Sequence, residues 1–434
     1  MKPFVLASTL ALAGLTGGIA HAAAPADCLA PSWCPAPSAS WDRDLLSTDL
    51  SLDLAALHGT ATVTFVPSNT STGASFDVSG LSVEGVQGPY GPLDYTVTNG
   101  RLDIGVPLGT VFVVIDYSFA IQEERGLLVD GMSLLWPDYC GNLYPCKPNA
   151  DDGQSYTMDV QGVPAGKTAI YPREIPGNAP SYQPALAVGN YVEQVLGTTP
   201  AGTKVSMFYE PGEEAVAATG GANLVEAFSF YEQTLGPYLF GKHVGAVSTH
   251  GTVYFSGMEH HPFWHVAGFY FDDENTQFHE AAHGWFGDGV RLRCWEDFAL
   301  SEGSASYWAL RATEAVHGAG STDKTWADLA TATVSWDSFL TRLGADTTIW
   351  PHTCNVVSPE YGLLGSSLTY DKGALFLHAV EERVGRFAFD RAMAIFYQWH
   401  AGGAATLQDL VDTVESMTGA NLDDLVRTWL RPRG

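Results

Sequence analysis

The chain has 434 residues, too many for a single hydrophobic core, so we expect two or three domains. Hydrophobic residues make up 46% of it and 12 residues are Trp, which excludes a disordered chain. Its formal net charge of −27 repels phosphate backbones, so nucleic acid is excluded as an expected partner. We attribute this charge to solubility.

The N-terminus has the pattern of a secretory signal peptide. Lys2 precedes a short apolar stretch, and small residues follow it. This predicts a signal peptide over residues 1–24, cut after Ala22 or Ala24. The apolar stretch contains Gly and Thr and is short for a membrane span, and no other run of about 20 apolar residues exists. We therefore expect an exported protein, periplasmic or extracellular, without a membrane span.

The six cysteines are expected to be oxidised if the chain is exported. Six cysteines allow fifteen pairings, and the sequence cannot choose among them. A zinc site made of cysteines is the weaker alternative, because no CxxC spacing occurs. We favour pairs that follow the order of the chain: Cys28–Cys34, Cys140–Cys146 and Cys294–Cys354.

The first half of the chain reads as strands. Residues 25–40 are rich in Pro, Ala and Ser and form an entry segment. Residues 59–66 and 101–106 alternate between apolar and polar side chains, and residues 109–119 form a longer β-branched and aromatic run. An antiparallel β-domain is therefore predicted over residues 41–205.

The second half changes to helical spacing. Apolar residues recur at the intervals of amphipathic helices in several segments from residue 206 onward, and Gly follows many of these segments. A strand-like piece over 243–257 indicates a small sheet. We expect an α+β multidomain protein, with a mostly helical second domain over residues 206–434.

Residues 279–302 carry the most informative pattern, H-E-x-x-H followed by a distant Glu. His279 and His283 are four apart, so on a helix both imidazoles project from one face and can bind one Zn²⁺. Glu280 lies between them, where its carboxylate can reach a water on the metal without binding the metal itself. Glu302 follows after a gap that suits a connector and a second helix. Two His and one Glu leave the fourth position open, as in catalytic zinc sites.

A second motif stands 20 residues before the first histidine. Gly257-Met258-Glu259 lies at the end of the predicted strand, and Tyr370 opens a later Y-x-K-G run. In this order, and with the segments HGWFGD and DFALSEG, the chain resembles the aminopeptidase N family of gluzincins. Larger members of that family continue into a helical C-terminal domain. This chain therefore looks like a short, two-domain, secreted member.

The resemblance implies the fold and the zinc site. The family places a β-domain before a thermolysin-like catalytic domain, which is the order read above. It further implies one Zn²⁺ per chain, held by His279, His283 and Glu302, and peptides as substrates.

The resemblance also implies how the reaction is divided among the remaining residues. Glu280 takes a proton from the water that zinc activates and passes it to the leaving amine. Tyr370 binds the oxyanion of the tetrahedral intermediate, and Tyr361 is its nearest substitute. Glu259, with Gly257 and Met258, binds the free α-amine of a peptide.

Several positions depart from the family pattern. His260 stands where the family has Asn, and we expect ordinary hydrogen bonding from it and from His261. Trp136 falls where a second amine-binding residue belongs, with Asp138 as the nearest carboxylate. Asp288 replaces an Asn, and Asp297 is a candidate to orient a metal ligand.

Three functions remain open at this point. The first is a secreted zinc aminopeptidase. The second is a zinc endopeptidase or another zinc hydrolase on the same fold, which weak amine binding would favour. The third is a catalytically silent peptide-binding protein, against which the intact zinc motif argues. The sequence does not determine the oligomeric state.

Overall fold

The computed structural model describes residues 20–21, 35–250, 256–351, 353–355, 358–359, 362 and 364–431. The predicted signal peptide lies outside the described residues apart from one short strand. The predicted Cys28–Cys34 pair and Tyr361 also lie outside them.

The strands, in chain order, are β1 (Ala20–His21), β2 (Leu45–Asp53), β3 (His58–Phe65), β4 (Gly73–Asp77), β5 (Leu81–Gly88), β6 (Gly91–Pro92), β7 (Tyr95–Thr98), β8 (Arg101–Gly105), β9 (Phe112–Phe119), β10 (Gly126–Leu127), β11 (Ser133–Leu134), β12 (Gln154–Gln161), β13 (Thr168–Ile170), β14 (Glu174–Ala179), β15 (Ala187–Gly189), β16 (Val192–Thr198), β17 (Lys204–Tyr209), β18 (His243–Thr249), β19 (Gly257–Met258), β20 (Phe263–Ala267), β21 (Arg291–Leu292) and β22 (Ala404–Ala405).

The helices are α1 (Glu214–Gly220), α2 (Leu224–Thr234), α3 (Glu274–Ala282), α4 (Phe298–His317), α5 (Asp323–Arg342), α6 (Ser367–Val384), α7 (Arg386–His400), α8 (Leu407–Thr418) and α9 (Asp423–Leu425). Short 3-10 turns cover Cys140–Asn142, Gly268–Tyr270 and Trp295–Asp297, and a π-helical turn covers Val426–Leu430.

The N-terminal half is built around a seven-stranded sheet with the order β14-β12-β2-β3-β9-β5-β6. Strand β3 shows why these residues form a sheet with one buried face. Its residues Ala61, Val63 and Phe65 are buried while their neighbours along the strand are partly exposed, as the alternation in the sequence predicted. The sheet is mixed, because β2 and β12 pair in parallel. The predicted N-terminal β-domain is confirmed, with the correction that this one pair is parallel, because the chain returns to β2 in the same direction; the other pairs of the sheet are antiparallel, as expected. A smaller sheet with the order β1-β7-β8-β4 accompanies it.

The second half contains a five-stranded sheet with the order β16-β17-β18-β20-β19. Its three central strands are parallel, and both edge strands are antiparallel to their neighbours. The predicted boundary between residues 205 and 206 falls within β17 of this sheet, and the boundary itself stays a prediction. Edge strand β19 carries the Gly-Met-Glu motif and lies beside helix α3 in the fold.

Helix α3 and its C-cap residue His283 carry the H-E-x-x-H motif. The helix begins after Asp273, whose side chain accepts a hydrogen bond from the Thr276 backbone N–H at 2.9 Å, a regular N-cap. Helix α4 carries Glu302 and helix α6 carries Tyr370. The predicted helical segments are confirmed, and α5 is an additional helix that the apolar spacing did not indicate.

Two of the three predicted disulfides are confirmed: Cys140–Cys146 and Cys294–Cys354. The second bridge ties the segment between α3 and α4 to the region before α6. In the part of the chain that the structure describes, no helix combines the length and apolar character needed to cross a bilayer.

Candidate metallopeptidase site

Three side chains converge on one centre: His279 of α3, His283 at the C-cap of α3 and Glu302 of α4. His279 Nε2 lies 3.1 Å from Glu302 Oε2 and 3.1 Å from His283 Nε2. His283 Nε2 lies 3.3 Å from the same Glu302 oxygen. Three ligand atoms held about 2.0–2.1 Å from a tetrahedral zinc would stand about 3.3–3.4 Å apart. The three side chains therefore fit one zinc ion, and their donor set is that of a catalytic site.

Neighbouring groups fix how each imidazole faces this centre. His283 Nδ1 lies 3.0 Å from the Phe286 carbonyl oxygen, to which it donates, and 3.2 Å from Ser301 Oγ. His279 Nδ1 lies 3.3 Å from Ser306 Oγ. A proton on each Nδ1 leaves the Nε2 lone pair directed at the centre, as a metal ligand requires.

The charges in the site are strongly coupled. Burial raises the pKa of Glu302, but His283 and the hydrogen bonds from both histidines outweigh it and lower that pKa to about 2. Burial lowers the pKa of His279, which favours the neutral imidazole. Burial also opposes the charge on His283, but Glu302, Glu259 and Glu280 raise its pKa well above the usual value. The raised pKa favours a protonated His283, whereas a metal ligand must be a neutral imidazole. Metal binding would therefore release the extra proton from His283.

Glu280 lies inside the site without belonging to the three ligands. One of its carboxylate oxygens lies within 4.8 Å of a ring nitrogen of His283 and of a carboxylate oxygen of Glu259. Only 4% of Glu280 is exposed. Burial raises the pKa of Glu280 well above its usual value, and Glu259 adds to this effect. Such a carboxyl group is a suitable general base, because a raised pKa brings proton uptake nearer to neutral pH.

Gly257 is the residue that lets Glu280 occupy this place. A Cβ at position 257 would lie 2.7 Å from Glu280 Cγ and closer still to the carboxylate. The Glu280 side chain can therefore occupy this place only with Gly at position 257. This gives the first residue of the Gly-Met-Glu motif a structural reason.

Glu259 follows β19 at the edge of the sheet. Gly257 pairs with Val266 and Met258 pairs with His265 of β20, so the motif is held at a fixed register. Glu259 is 5% exposed, and burial raises its pKa to about 7. A buried carboxylate beside the zinc ligands is well placed to receive a cationic group.

Tyr370 comes to the site from α6. Its ring stacks on His279 with centroids 5.9 Å apart, and it meets Phe298 edge-on at 6.4 Å. Burial, followed by the charge of Glu302, raises the pKa of Tyr370 well above its usual value. The phenol therefore keeps its proton at neutral pH and can donate a hydrogen bond.

The segment around Trp136 and Asp138, where a second residue that binds the peptide amine was expected, contacts His260 directly after the Gly-Met-Glu motif. His260 Nε2 lies 3.3 Å from the Leu135 backbone nitrogen and 3.4 Å from its carbonyl oxygen. Asp138 accepts a hydrogen bond from Ser358 Oγ at 3.2 Å. The structure thus brings this β-domain segment to the site through His260, and the hydrogen bonding expected of that residue is confirmed.

Asp297 does not orient a zinc ligand. Its Oδ1 accepts hydrogen bonds from Trp350 Nε1 at 3.0 Å and from the Leu407 backbone N–H at 2.9 Å. This suggestion from the sequence was wrong, because the carboxylate joins the start of α8 to the segment that carries Trp350.

Two buried residues near the site carry no motif signal of their own. Tyr182 comes from the N-terminal half, and burial together with the charges of Asp288 and Glu259 raises its pKa well above the usual value. Asp288 is completely buried, and burial and Glu259 raise its pKa. Only the substitution in the HGWFGD segment drew attention to Asp288, and nothing local indicated Tyr182.

The comparisons with known proteins agree with this geometry. Residues 272–429 match the model of the Peptidase family M1 domain, a span that includes the three predicted zinc ligands, Glu280 and Tyr370. This match lies in the second, mostly helical half of the chain. The resemblance to the aminopeptidase N family is therefore confirmed.

Curated relatives match only in part. Aminopeptidase N of Streptomyces lividans is 30% identical over 159 residues, which is 37% of this chain and 18% of that protein. Aminopeptidase M1-B of Oryza sativa subsp. japonica is 26% identical over 268 residues, 58% of this chain and 30% of that protein. The matched part of this chain thus spans less than a third of these two relatives.

A solved structure matches nearly the whole fold. The M1 zinc metallopeptidase from Deinococcus radiodurans superposes with a TM-score of 0.74 at 21% identity, covering 90% of this chain and 95% of that one. A mutant of that M1 protein, with a TM-score of 0.75, is described as bound to a Tyr-Ser-Ala substrate. The β-rich domain followed by a helical domain is therefore a two-domain M1 fold, as predicted.

Proposed function

We propose that this protein is an exported zinc aminopeptidase, which hydrolyses the N-terminal peptide bond of peptides. The convergence of three ligand atoms within 3.3 Å of one another, with two further buried carboxylates beside them, is the observation that carries the proposal. Zinc, when bound by His279, His283 and Glu302, supplies a Lewis acid and lowers the pKa of a bound water to about 7.

The remaining residues divide the proton and charge work. Glu280 accepts a proton from the attacking water and later gives it to the leaving amine, which its raised pKa favours. Tyr370 donates a hydrogen bond to the oxyanion that forms on the scissile carbonyl.

Glu259 provides the exopeptidase selectivity in this proposal. Its carboxylate lies in the same cluster as Glu280 and His283, so a charge-assisted hydrogen bond to a protonated α-amine would place the first peptide bond at the site. A substrate without that amine would leave the buried carboxylate unpaired, a cost of about 1–3 kcal/mol or more. The edge position of β19 gives the peptide a strand to lie beside.

A zinc endopeptidase is the second candidate function. It is favoured by Trp136, which stands where the family resemblance implies a second amine-binding residue. Export is proposed from the N-terminal sequence and is supported by the two disulfides within the described residues.

A panel of aminoacyl reporter substrates, assayed with and without a chelator, tests the proposal. We expect turnover of at least some free aminoacyl substrates, its loss with chelator and its return with zinc. Turnover that a strong chelator leaves unchanged would contradict the zinc mechanism. An absence of turnover with zinc-loaded protein on every substrate would leave the peptide-binding alternative.

A further inference from the structure

Two buried side chains, Tyr238 and His261, form a hydrogen-bonded chain that ends on the backbone carbonyl of Glu280, the proposed general base. Tyr238 Oη lies 2.8 Å from His261 Nδ1, and His261 Nε2 lies 2.8 Å from the backbone carbonyl oxygen of Glu280. Tyr238 is 5% exposed and His261 is completely buried. These bonds are made in the protein interior, away from water.

The Glu280 carbonyl is free for this contact because of the way in which α3 ends. In a continuing helix the Gly284 N–H would bond to the carbonyl four residues back, which is that of Glu280. Here the Gly284 N–H bonds instead to the Ala281 carbonyl, at 3.2 Å. The helix therefore tightens at its last turn, and His261 supplies the donor that the Glu280 carbonyl would otherwise lack.

The chemistry of the two bonds fixes the state of the imidazole. A carbonyl oxygen only accepts, so Nε2 of His261 carries the proton. Burial lowers the pKa of His261 to about 3, so the ring is neutral and Nδ1 is an acceptor. Tyr238 is therefore the donor to Nδ1, and its hydroxyl selects the tautomer that His261 needs. The histidine and the tyrosine act as one unit.

The packing around this pair leaves little room for another arrangement. A Cβ on Gly284 would lie 2.7 Å from Tyr238 Cε2 and 3.1 Å from His261 Cε1. The pair thus packs against Gly284, which directly follows the proposed zinc ligand His283, and leaves no space for a side chain at that position. Any shift of His261 would be transmitted to the last turn of α3.

We propose that Tyr238 and His261 are positioning residues of the catalytic site: they cap the free carbonyl of Glu280 and hold its carboxylate in register with the zinc ligands. The proposal rests on the proposed function for its kinetic consequence, but the cap itself is a structural claim. It gives His261 a role that is separate from that of the neighbouring His260, which contacts Leu135.

The test compares four variants in the zinc-loaded full-length protein. His261→Phe keeps a ring but removes the donor, and His261→Gln offers an amide N–H in its place. Tyr238→Phe removes only the hydroxyl, and the double variant His261→Phe with Tyr238→Phe tests whether the two act together. Tyr144→Phe is the matched control, because its buried hydroxyl also donates to a backbone carbonyl, that of Ser181, and its other hydrogen-bond partner is Tyr156 rather than a residue of α3.

Four quantities are measured: kcat and KM on an aminoacyl anilide, zinc per chain, and amide hydrogen exchange of residues 283–287. We expect His261→Phe to lower kcat about 10- to 100-fold with KM within about twofold, since small misplacement of a catalytic group has effects of this size. Exchange should become faster, zinc should remain near one per chain, and His261→Gln should recover much of the loss. The double variant should be no worse than His261→Phe alone, and Tyr144→Phe should match the wild type.

Values of kcat within twofold of wild type in folded, zinc-loaded His261→Phe and Tyr238→Phe would overturn the proposal. If His261→Phe does not fold, Tyr238→Phe carries the test, because it retains every ring. If the wild type cleaves no aminoacyl anilide, the proposed function fails. The exchange rates then decide whether His261 and Tyr238 cap the Glu280 carbonyl. Unchanged exchange in Tyr238→Phe and, where it folds, in His261→Phe would overturn the cap as well.

Discussion

Gly303 and Gly373 face each other where helices α4 and α6 meet. A Cβ on Gly303 would lie 2.6 Å from Gly373 Cα, and a Cβ on Gly373 would lie 2.7 Å from Gly303 Cα. Gly303 directly follows Glu302, the proposed zinc ligand, and Gly373 lies one turn after Tyr370. The backbones can approach this closely only because neither residue has a side chain.

Gly303→Ala should therefore damage the site as well as the fold. The added methyl group must separate α4 from α6, which moves Tyr370 away from Glu302. We expect a loss of stability of about 1–3 kcal/mol, as in other overpacked cores, and a fall in kcat of about tenfold or more. Gly85→Ala is the control, because the nearest atom to a Cβ there is 4.0 Å away. Wild-type kcat in folded Gly303→Ala protein would show that this contact does not set the geometry.

Glu280→Gln should abolish turnover and leave zinc bound. The amide has nearly the same shape but cannot accept a proton at neutral pH, and general acid–base catalysis is worth about 10²–10⁴ in rate. The measurement is kcat together with zinc content, and Glu226→Gln on the exposed face of α2 serves as the control. Near-normal kcat in zinc-replete Glu280→Gln protein would remove Glu280 from its assigned role.

Tyr370→Phe should lower kcat far more than it raises KM. The phenol hydroxyl is used mainly in the transition state, and loss of one oxyanion donor costs about 10²–10³ in rate in a comparable enzyme. Its stacking on His279 should persist, because the ring remains. A nearly silent Tyr370→Phe combined with a crippling Tyr361→Phe would assign the oxyanion role to Tyr361 instead.

Glu259→Ala should act selectively on substrates with a free amine. Removing a charge-assisted bond worth about 1–3 kcal/mol predicts a fall in kcat/KM of roughly 5- to 150-fold for a free dipeptide amide. The N-acetylated form of the same peptide is the internal control, and its slower cleavage should change little. An equal loss on both substrates would mean that Glu259 supports the site without binding the amine.

Much of the site could be predicted because its chemistry depends on spacing along the chain. The four-residue interval between His279 and His283 needs only a helix to bring the imidazoles together, and the gap before Glu302 needs only a second helix. The Gly-Met-Glu segment could be placed at a strand end for the same reason. The placement of these residues therefore depends little on how distant segments pack.

The parts that could not be predicted depend on contacts between distant segments. Helix α5 has only Trp326 and Thr333 buried, while its apolar residues Val334, Trp336 and Phe339 are exposed, so its apolar residues do not all lie on one buried face. The role of Asp297 was misjudged because its partners, Trp350 and Leu407, are more than 50 residues away. The contact of His261 with Glu280 depends on how α3 ends, which the sequence does not reveal.

The most direct test of the central claim compares cleavage of a free dipeptide amide with cleavage of its N-acetylated form by the zinc-loaded wild-type protein. We predict that kcat/KM for the free peptide exceeds that for the acetylated one by about tenfold or more, and that a chelator abolishes both. Equal cleavage of the two substrates would contradict the aminopeptidase assignment and leave a zinc peptidase without amine selectivity.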